Sequence, residues 1–171
     1  MTTEQRADDE DVRATLRAAQ VSDSRSIAQF HTRCWREAYR GLVPQDYLDR
    51  VDVDDRAVRW RDRLVNGGRR AVVAEVGGQI VGVVSWARSR DAGSAPPLEL
   101  KSLYVAAAYR GSGIAADLLD RAVGTKAAHL WVFEDNPRAH QFYRKHGFAP
   151  DGERDVDADT GLWELRMVRG R

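Results

Sequence analysis

The sequence predicts one domain of the mixed α/β class, and three observations predict it. RAVVAEV and QIVGVVSWA are two strand-like runs separated only by Gly77 and Gly78, which is a β-hairpin pattern. From Leu98 onward, strand-like and helix-like stretches alternate as strand, helix, strand, helix, strand. Ahead of both, Ile27, Phe30, Cys34 and Ala38 recur at helical spacing. A chain of 171 residues with 43% hydrophobic and 31% charged residues is long enough for a buried core and ordinary for a globular protein.

In chain order, residues 1–13 (MTTEQRADDEDVR) read as an acidic disordered tail, and residues 14–171 as the single domain. Thr15 to Ala19 forms a short strand. Ser22 or Asp23 caps a helix over SRSIAQFHTRCWREAYRG, which Gly41 stops. A second helix is expected from Gln45 to about Leu64, with Asp52 to Asp55 as a place where it breaks. The hairpin follows, and SRDAGSAPP, residues 89–97, has loop composition. LELKSLYV alternates as a strand ending at Val105. Ile114, Leu118, Leu119 and Ala122 mark one face of a helix that starts after Gly113. HLWVF, residues 129–133, is a buried-strand pattern. NPRAHQFYRKHGF then gives a helix with Asn136 as N-cap, Pro137 at the first position and Gly147 past the end. Ala139, Phe142, Tyr143 and His146 share its inner face. DGERDVDAD, residues 151–159, reads as a solvated acidic loop, with attraction of a cationic acceptor as its alternative role, before a last strand around Leu162 to Val168.

Composition excludes several roles. A net charge of +1 gives no footprint for nucleic acid or an anionic membrane. No apolar run approaches the ~18 residues of a membrane span, and the polar N-terminus lacks a signal-peptide core. The single cysteine, Cys34, cannot form an internal disulfide, so a reducing cytoplasm is the expected setting. His31, His129, His140 and His146 show no ligand spacing with Cys or carboxylates, so no metal is expected.

YRGSGIAADLL sets Arg110, Gly111 and Gly113 between a strand and a helix. A helix N-terminus leaves about four N–H groups without partners and about half a positive charge. Glycines there remove the Cβ atoms that would keep a phosphate away from those donors, though they equally serve a tight turn. A Walker loop needs Lys and Ser or Thr after its last glycine, where this chain has Ile114 and Ala115. A dinucleotide fingerprint fits Gly111, Gly113 and Ala116, with Glu134 as the acid. Five residues separate Val105 from Gly111, however, and 60 residues remain after Gly111, too few for a doubly wound sheet.

The joint pattern ELKSLYV, RGSGIA and, some twenty residues later, NPRAHQFYRKHGF closely resembles the GNAT superfamily of N-acetyltransferases over residues 98–148. Arg110, Gly113 and Ala115 match its R/Q-x-x-G-x-G/A signature, and Asn136, Ala139, Phe142, Tyr143, Gly147 and Phe148 match its later motif. One departure is Ala106-Ala107-Ala108, where many members carry a proline. The resemblance implies a twisted, mostly antiparallel sheet flanked by helices, with two central strands that splay apart. It implies acetyl-CoA as co-substrate, with the pantetheine arm along Leu103, Tyr104 and Val105 and beside Asn136. The pyrophosphate then falls to Arg110, Gly111, Ser112, Gly113, Ile114 and Ala115. The implied reaction is direct attack of a primary amine, from a small molecule or peptide, on the thioester. A non-catalytic acyl-CoA sensor of the same fold is the alternative, and a homodimer is in keeping with many relatives.

By the same resemblance, Tyr143 protonates or hydrogen-bonds the departing sulfur, although its place on an inner helix face would equally suit core packing. Glu99, in the strand before LYV, matches a position where some members hold a base, or it faces outward. Trp35 and Tyr39, one helical turn apart, are the expected acceptor-pocket residues, with Tyr47 and Trp60 as further aromatics; aromatics at that spacing also serve cores. Cys34, on an apolar helix face, is expected to be a buried structural thiol.

Overall fold

In RAVVAEV the strand period places Ala71 and Val73 on one face and Val72 and Ala74 on the other, and all four are buried. A strand covered on both faces belongs inside its sheet. The structure, a computed structural model that describes residues 13–89, 93 and 95–170, has this arrangement. Of the tail expected at 1–13 it describes only Arg13, and four residues of the expected loop at 89–97 also lie outside the described residues.

The strands are β1 (Thr15–Ala18), β2 (Arg70–Val76), β3 (Gln79–Arg88), β4 (Leu98–Val105), β5 (Ala128–Phe133), β6 (Ala149–Val156) and β7 (Trp163–Arg169). They form one sheet in the order β1-β2-β3-β4-β5-β7-β6, antiparallel everywhere except between β4 and β5. Gly77 and Gly78 turn the β2–β3 hairpin at φ of 56° and 76°, the conformation its tight turn requires.

Helices α1 (Ser24–Tyr39) and α3 (Val53–Val65) cover one face, burying Ile27, Phe30, Cys34 and Trp60 against Val73 and Val83. Between them lies the short α2 (Gln45–Arg50). On the other face, α4 (Ile114–Val123) packs Leu118, Leu119 and Ala122 on Val72, Val84 and Leu130, beside α5 (Pro137–Lys145). Gly82 lets α4 approach: a Cβ there would lie 2.8 Å from Leu118 Cδ1 and 3.3 Å from Ile114.

Two expectations are corrected. The helix expected from Gln45 to Leu64 is two helices, because Asp52 leaves helical conformation (ψ 130°) and accepts from the N–H groups of Asp54 (2.7 Å) and Asp55 (2.9 Å). Asp52→Ala is expected to lower stability by ~1 kcal/mol in urea denaturation, as loss of an N-cap does. The acidic stretch expected as a loop is largely strand β6, exposed along its whole length. Its alternation is polar on both faces, so no periodic signal marks it; its ladder to β7 supplies the structure, and its charges suit a sheet edge.

The feature that creates the site is the parting of β4 and β5. They pair only at Glu99↔His129 and Leu100↔Leu130. Ser102 faces Ser85 and Leu100 faces Trp86 on β3, so Lys101 is an extra residue, a bulge at the point where β5 leaves. Beyond it, β4 stays with β3 to Val105 and β5 stays with β7 to Phe133. A wedge opens through the middle of the sheet.

Candidate active site

A cavity of about 660 Å³ occupies this wedge. Its walls come from both faces of the sheet: Tyr104 and Phe133 from the strand ends, Trp35 and Tyr39 from α1, Gly113 and Ala115 from the start of α4, Asn136 and Tyr143 from α5.

The turn before α4 has the form of an anion cradle. Gly111 and Gly113 take φ of 81° and 89°, the left-handed region that other residues avoid, and Gly113 is the N-cap of α4. Among the described residues, the N–H groups of Gly111, Gly113, Ala115 and Ala116 have no hydrogen-bond acceptor. A Cβ built on either glycine would meet nothing within 4 Å, so the approach to those donors is open. The Ser112 hydroxyl donates to Tyr109 O (2.6 Å), which fixes the turn, and Arg110 lies exposed on the cavity wall. Ser112 and Ile114 are not themselves wall residues; Ile114 is buried in the core below α4. This set of unpartnered donors with a cation beside them fits a diphosphate.

Three phenols meet deeper in the cavity. Tyr39 and Tyr104 hydroxyls are 3.4 Å apart, and Tyr39 also stacks edge-on against Phe133 (5.0 Å) and Trp35 (5.0 Å). Burial pushes the hydroxyl of Tyr143 far up, and the neighbouring Tyr39 adds to the shift, so Tyr143 is a phenol, not a phenolate, at any physiological pH. Leu103 and Val105 turn their side chains into the core on the α4 side, leaving the backbone edge of β4 to the wedge. Asn136 performs its capping role, accepting from Ala139 N (3.2 Å), while its amide also meets the Tyr39 hydroxyl.

Two carboxylates differ in kind. Glu99 is buried, not outward-facing, and is held by Lys101 Nζ at 2.6 Å with His129 Nε2 at 3.7 Å. It does not line the cavity. Glu164 does; it pairs across the ladder with Phe133, and burial together with the charges of Asp157, Asp155 and Glu99 lifts its pKa to about 7. Cys34 is on the wall as well, but burial raises its thiol to about 11, as suits a structural residue. Among the described residues no three His, Cys, Asp or Glu side chains form a metal-holding group.

A model of the acetyltransferase (GNAT) domain matches residues 67–150. A probable N-acetyltransferase of Mycobacterium tuberculosis is 30% identical over 142 residues, covering 80% of both chains. The chain belongs to the GNAT family. An uncharacterized N-acetyltransferase of Bacillus subtilis is 26% identical over 145 residues, covering 80% of this chain and 83% of its own. Among solved structures, the PaiA N-acetyltransferase of Thermoplasma acidophilum, crystallised with coenzyme A, superposes with a TM-score of 0.70 at 18% identity, over 92% of this chain and 99% of its own. A GNAT chain is an acetyl-CoA-dependent acyltransferase, and the fold expected from the motifs is the one observed.

Within this GNAT domain the wedge brings together Tyr143, Tyr104, Asn136, Arg110, the glycines, Trp35 and Tyr39, all named from the sequence. Glu164 was not named. In LWELRMV it is one polar residue in an ordinary alternation, and its character comes from burial and from Asp157 and Asp155, which only the fold brings near it.

Proposed function

We propose that this enzyme transfers the acetyl group of acetyl-CoA to a primary amine by direct attack, within the wedge between β4 and β5. The observation that carries the reading is the juxtaposition, in one cavity, of the unpartnered donors of the 110–116 turn and the protonated Tyr143.

The unpaired edge of Leu103 to Val105 holds the pantetheine arm as a strand edge holds a peptide. The N–H groups of Gly111, Gly113 and Ala115, with Arg110, hold the diphosphate. Acetyl-CoA supplies the thioester carbonyl that the amine attacks. Tyr143 donates its hydrogen bond to the sulfur as negative charge collects there. Because its hydroxyl titrates above the ordinary ~10 while a free thiol titrates near ~8.5, full proton transfer is uphill, and a strengthening hydrogen bond is the form its help takes.

An alkylamine with a pKa of about 10.4 is neutral in roughly one molecule in a few thousand at pH 7, a cost of about 4.6 kcal/mol. A carboxylate poised near the working pH offsets part of it. Glu164 meets that description and opens on the cavity; Glu99, held by Lys101 behind the wall, acts through the field that raises Glu164. The kcat/KM profile is therefore expected to rise with pH through about 7, since Glu164 must lose its proton to accept another. Glu164→Gln should lower kcat/KM at least tenfold and remove that limb; a limb that survives the substitution assigns the base elsewhere.

The unpaired Cys34 thiol suits a reducing cytoplasm. The test of the whole reading joins a thermal shift on acetyl-CoA with thiol release across a panel of amines. A shift and turnover support it, and a shift with no turnover on any amine leaves a sensor instead.

A further inference from the structure

In VDDRAVRWRDRLV, Arg56, Trp60 and Arg63 stand at i, i+4 and i+7, one face of α3. That face is turned inward by Trp60, which is 1% exposed. Two guanidinium groups are thereby carried toward the interior beside a third, Arg69, just ahead of β2. Arg56 lies over the Trp35 ring at 5.2 Å and Arg63 over the Trp60 ring at 5.9 Å. Arg56 and Arg69 both line the wedge cavity, as does His31, whose ring rests 4.7 Å from that of Tyr104.

Among the described residues none of the three arginines makes an ion pair or side-chain hydrogen bond. Arg56 Nη1 and His31 Nδ1 are fully buried and have no partner at all. Elsewhere the chain pairs its inner cations closely, as Arg17 with Asp23 (2.7 Å) and Arg166 with Asp151 (2.7 Å). Half-buried cations without a partner carry a desolvation cost, and Arg56 and Arg69 face a cavity. Burial, then the charges of Arg56, Arg69 and Arg63, drives His31 down to about 3, so it is a neutral imidazole with an N–H to offer. Burial likewise lowers Arg69 to about 10, still charged at neutral pH.

The same cavity lining also carries the acidic side chains Glu164, Asp157 and Asp159, with Lys101, Arg110, Arg138 and Lys145 as its further cations. Tyr47 feels both signs: its hydroxyl is raised by burial and by Asp159 and Asp157, and the shift is opposed by Arg56 and Arg59. A cavity lined both by arginines without partners and by carboxylates suits a ligand that carries an anion as well as an amine. A polyamine would suit these carboxylates but would set like charge against Arg56 and Arg69.

We propose that the acceptor is a small primary amine that also bears a carboxylate, an amino acid or similar amino-carboxylate, with its anion on Arg56, Arg69 and the His31 N–H and its amine toward Glu164. The proposal rests on the N-acetyltransferase reading above and specifies its substrate class. Arg56 and Arg69 present forked donors suited to a carboxylate, and the packed rings of Trp35, Tyr39 and Tyr47 line the same cavity.

The test uses the full chain with acetyl-CoA and matched sets of acceptors: an amino acid, its carboxamide, and the amine lacking the carboxyl. Each rate is referred to the neutral-amine fraction. The wild type should favour the carboxylate member by 10²-fold or more in kcat/KM. Arg56→Met and Arg69→Met should each reduce that ratio at least tenfold, mainly through KM, with acetyl-CoA's thermal shift retained. In parallel, calorimetric titration of amino acids into the CoA-saturated protein should give binding that either substitution weakens at least tenfold. Equal rates with and without the carboxyl, an unaltered ratio in both variants, or loss of the acetyl-CoA shift in them would each overturn the proposal. The last result would assign the arginines to the cofactor's phosphates. Arginine-dependent amino acid binding with no thiol release would uphold the anion subsite while refuting the transferase reading.

Discussion

Replacing Tyr143 by Phe is expected to lower kcat about 10²-fold while acetyl-CoA affinity stays within about twofold. The substitution removes one oxygen from a ring packed against Phe142 (5.3 Å) and Phe148 (5.8 Å), so the wall of the wedge keeps its shape. What is lost is a donor that burial keeps protonated and that, in the proposed reaction, meets its charge only as the sulfur departs. An interaction made in the transition state alone appears in kcat and not in ground-state binding. Steady-state kinetics at saturating acetyl-CoA, with equilibrium titration of the cofactor, separates the two quantities. An unchanged kcat would remove Tyr143 from the chemistry and return it to the core-packing role that its place on the inner face of α5 allows.

Gly113→Asp is expected to abolish acetyl-CoA binding. Residue 113 is the N-cap of α4 at φ 89°, and its N–H is among the free donors of the turn. A carboxylate there would meet the diphosphate with like charge and offer the donors an internal acceptor. At a ligand concentration of about 100 Kd, binding to the native state stabilises it by ~2.7 kcal/mol, or about 5–10 °C in Tm for a chain of this size. The wild type should show that shift and the variant none. Gly113→Ala, which carries the φ strain without the charge, should fall between them. A normal shift in Gly113→Asp would refute the cradle.

The parts of this enzyme that were legible in the sequence are those with local causes. Positive-φ glycines ahead of a helix, Asn136-Pro137 at a helix start and the Gly77-Gly78 hairpin each signal through neighbours in the chain. The wedge has no such signal in the residues themselves. LELKSLYV and HLWVF read as ordinary strands, and their parting depends on which partner each keeps after Leu100 and Leu130. Only the resemblance to the GNAT superfamily anticipated it. Strand β6 was hidden because a polar edge strand has no apolar face to alternate with a polar one. Glu164 was hidden for another reason: its raised pKa comes from burial in the folded chain and from the charges of Asp157 and Asp155, which the strand pairing of β6 and β7 brings near. The inward arginines of α3 lay between these cases. Their helical spacing is visible, but charged residues at that spacing ordinarily mark a solvated face, and Trp60 alone shows that it is not.

The central claim is that the gap between β4 and β5 aligns a thioester carrier from the α4 cradle to Tyr143. A crystal structure with coenzyme A bound tests it most directly. The expected result is diphosphate oxygens on the N–H groups of Gly111, Gly113 and Ala115, the pantetheine amides on the edge of Leu103 to Val105, and the sulfur within hydrogen-bonding reach of the Tyr143 hydroxyl. Coenzyme A bound with that turn empty, or with its sulfur remote from the phenol, would contradict it.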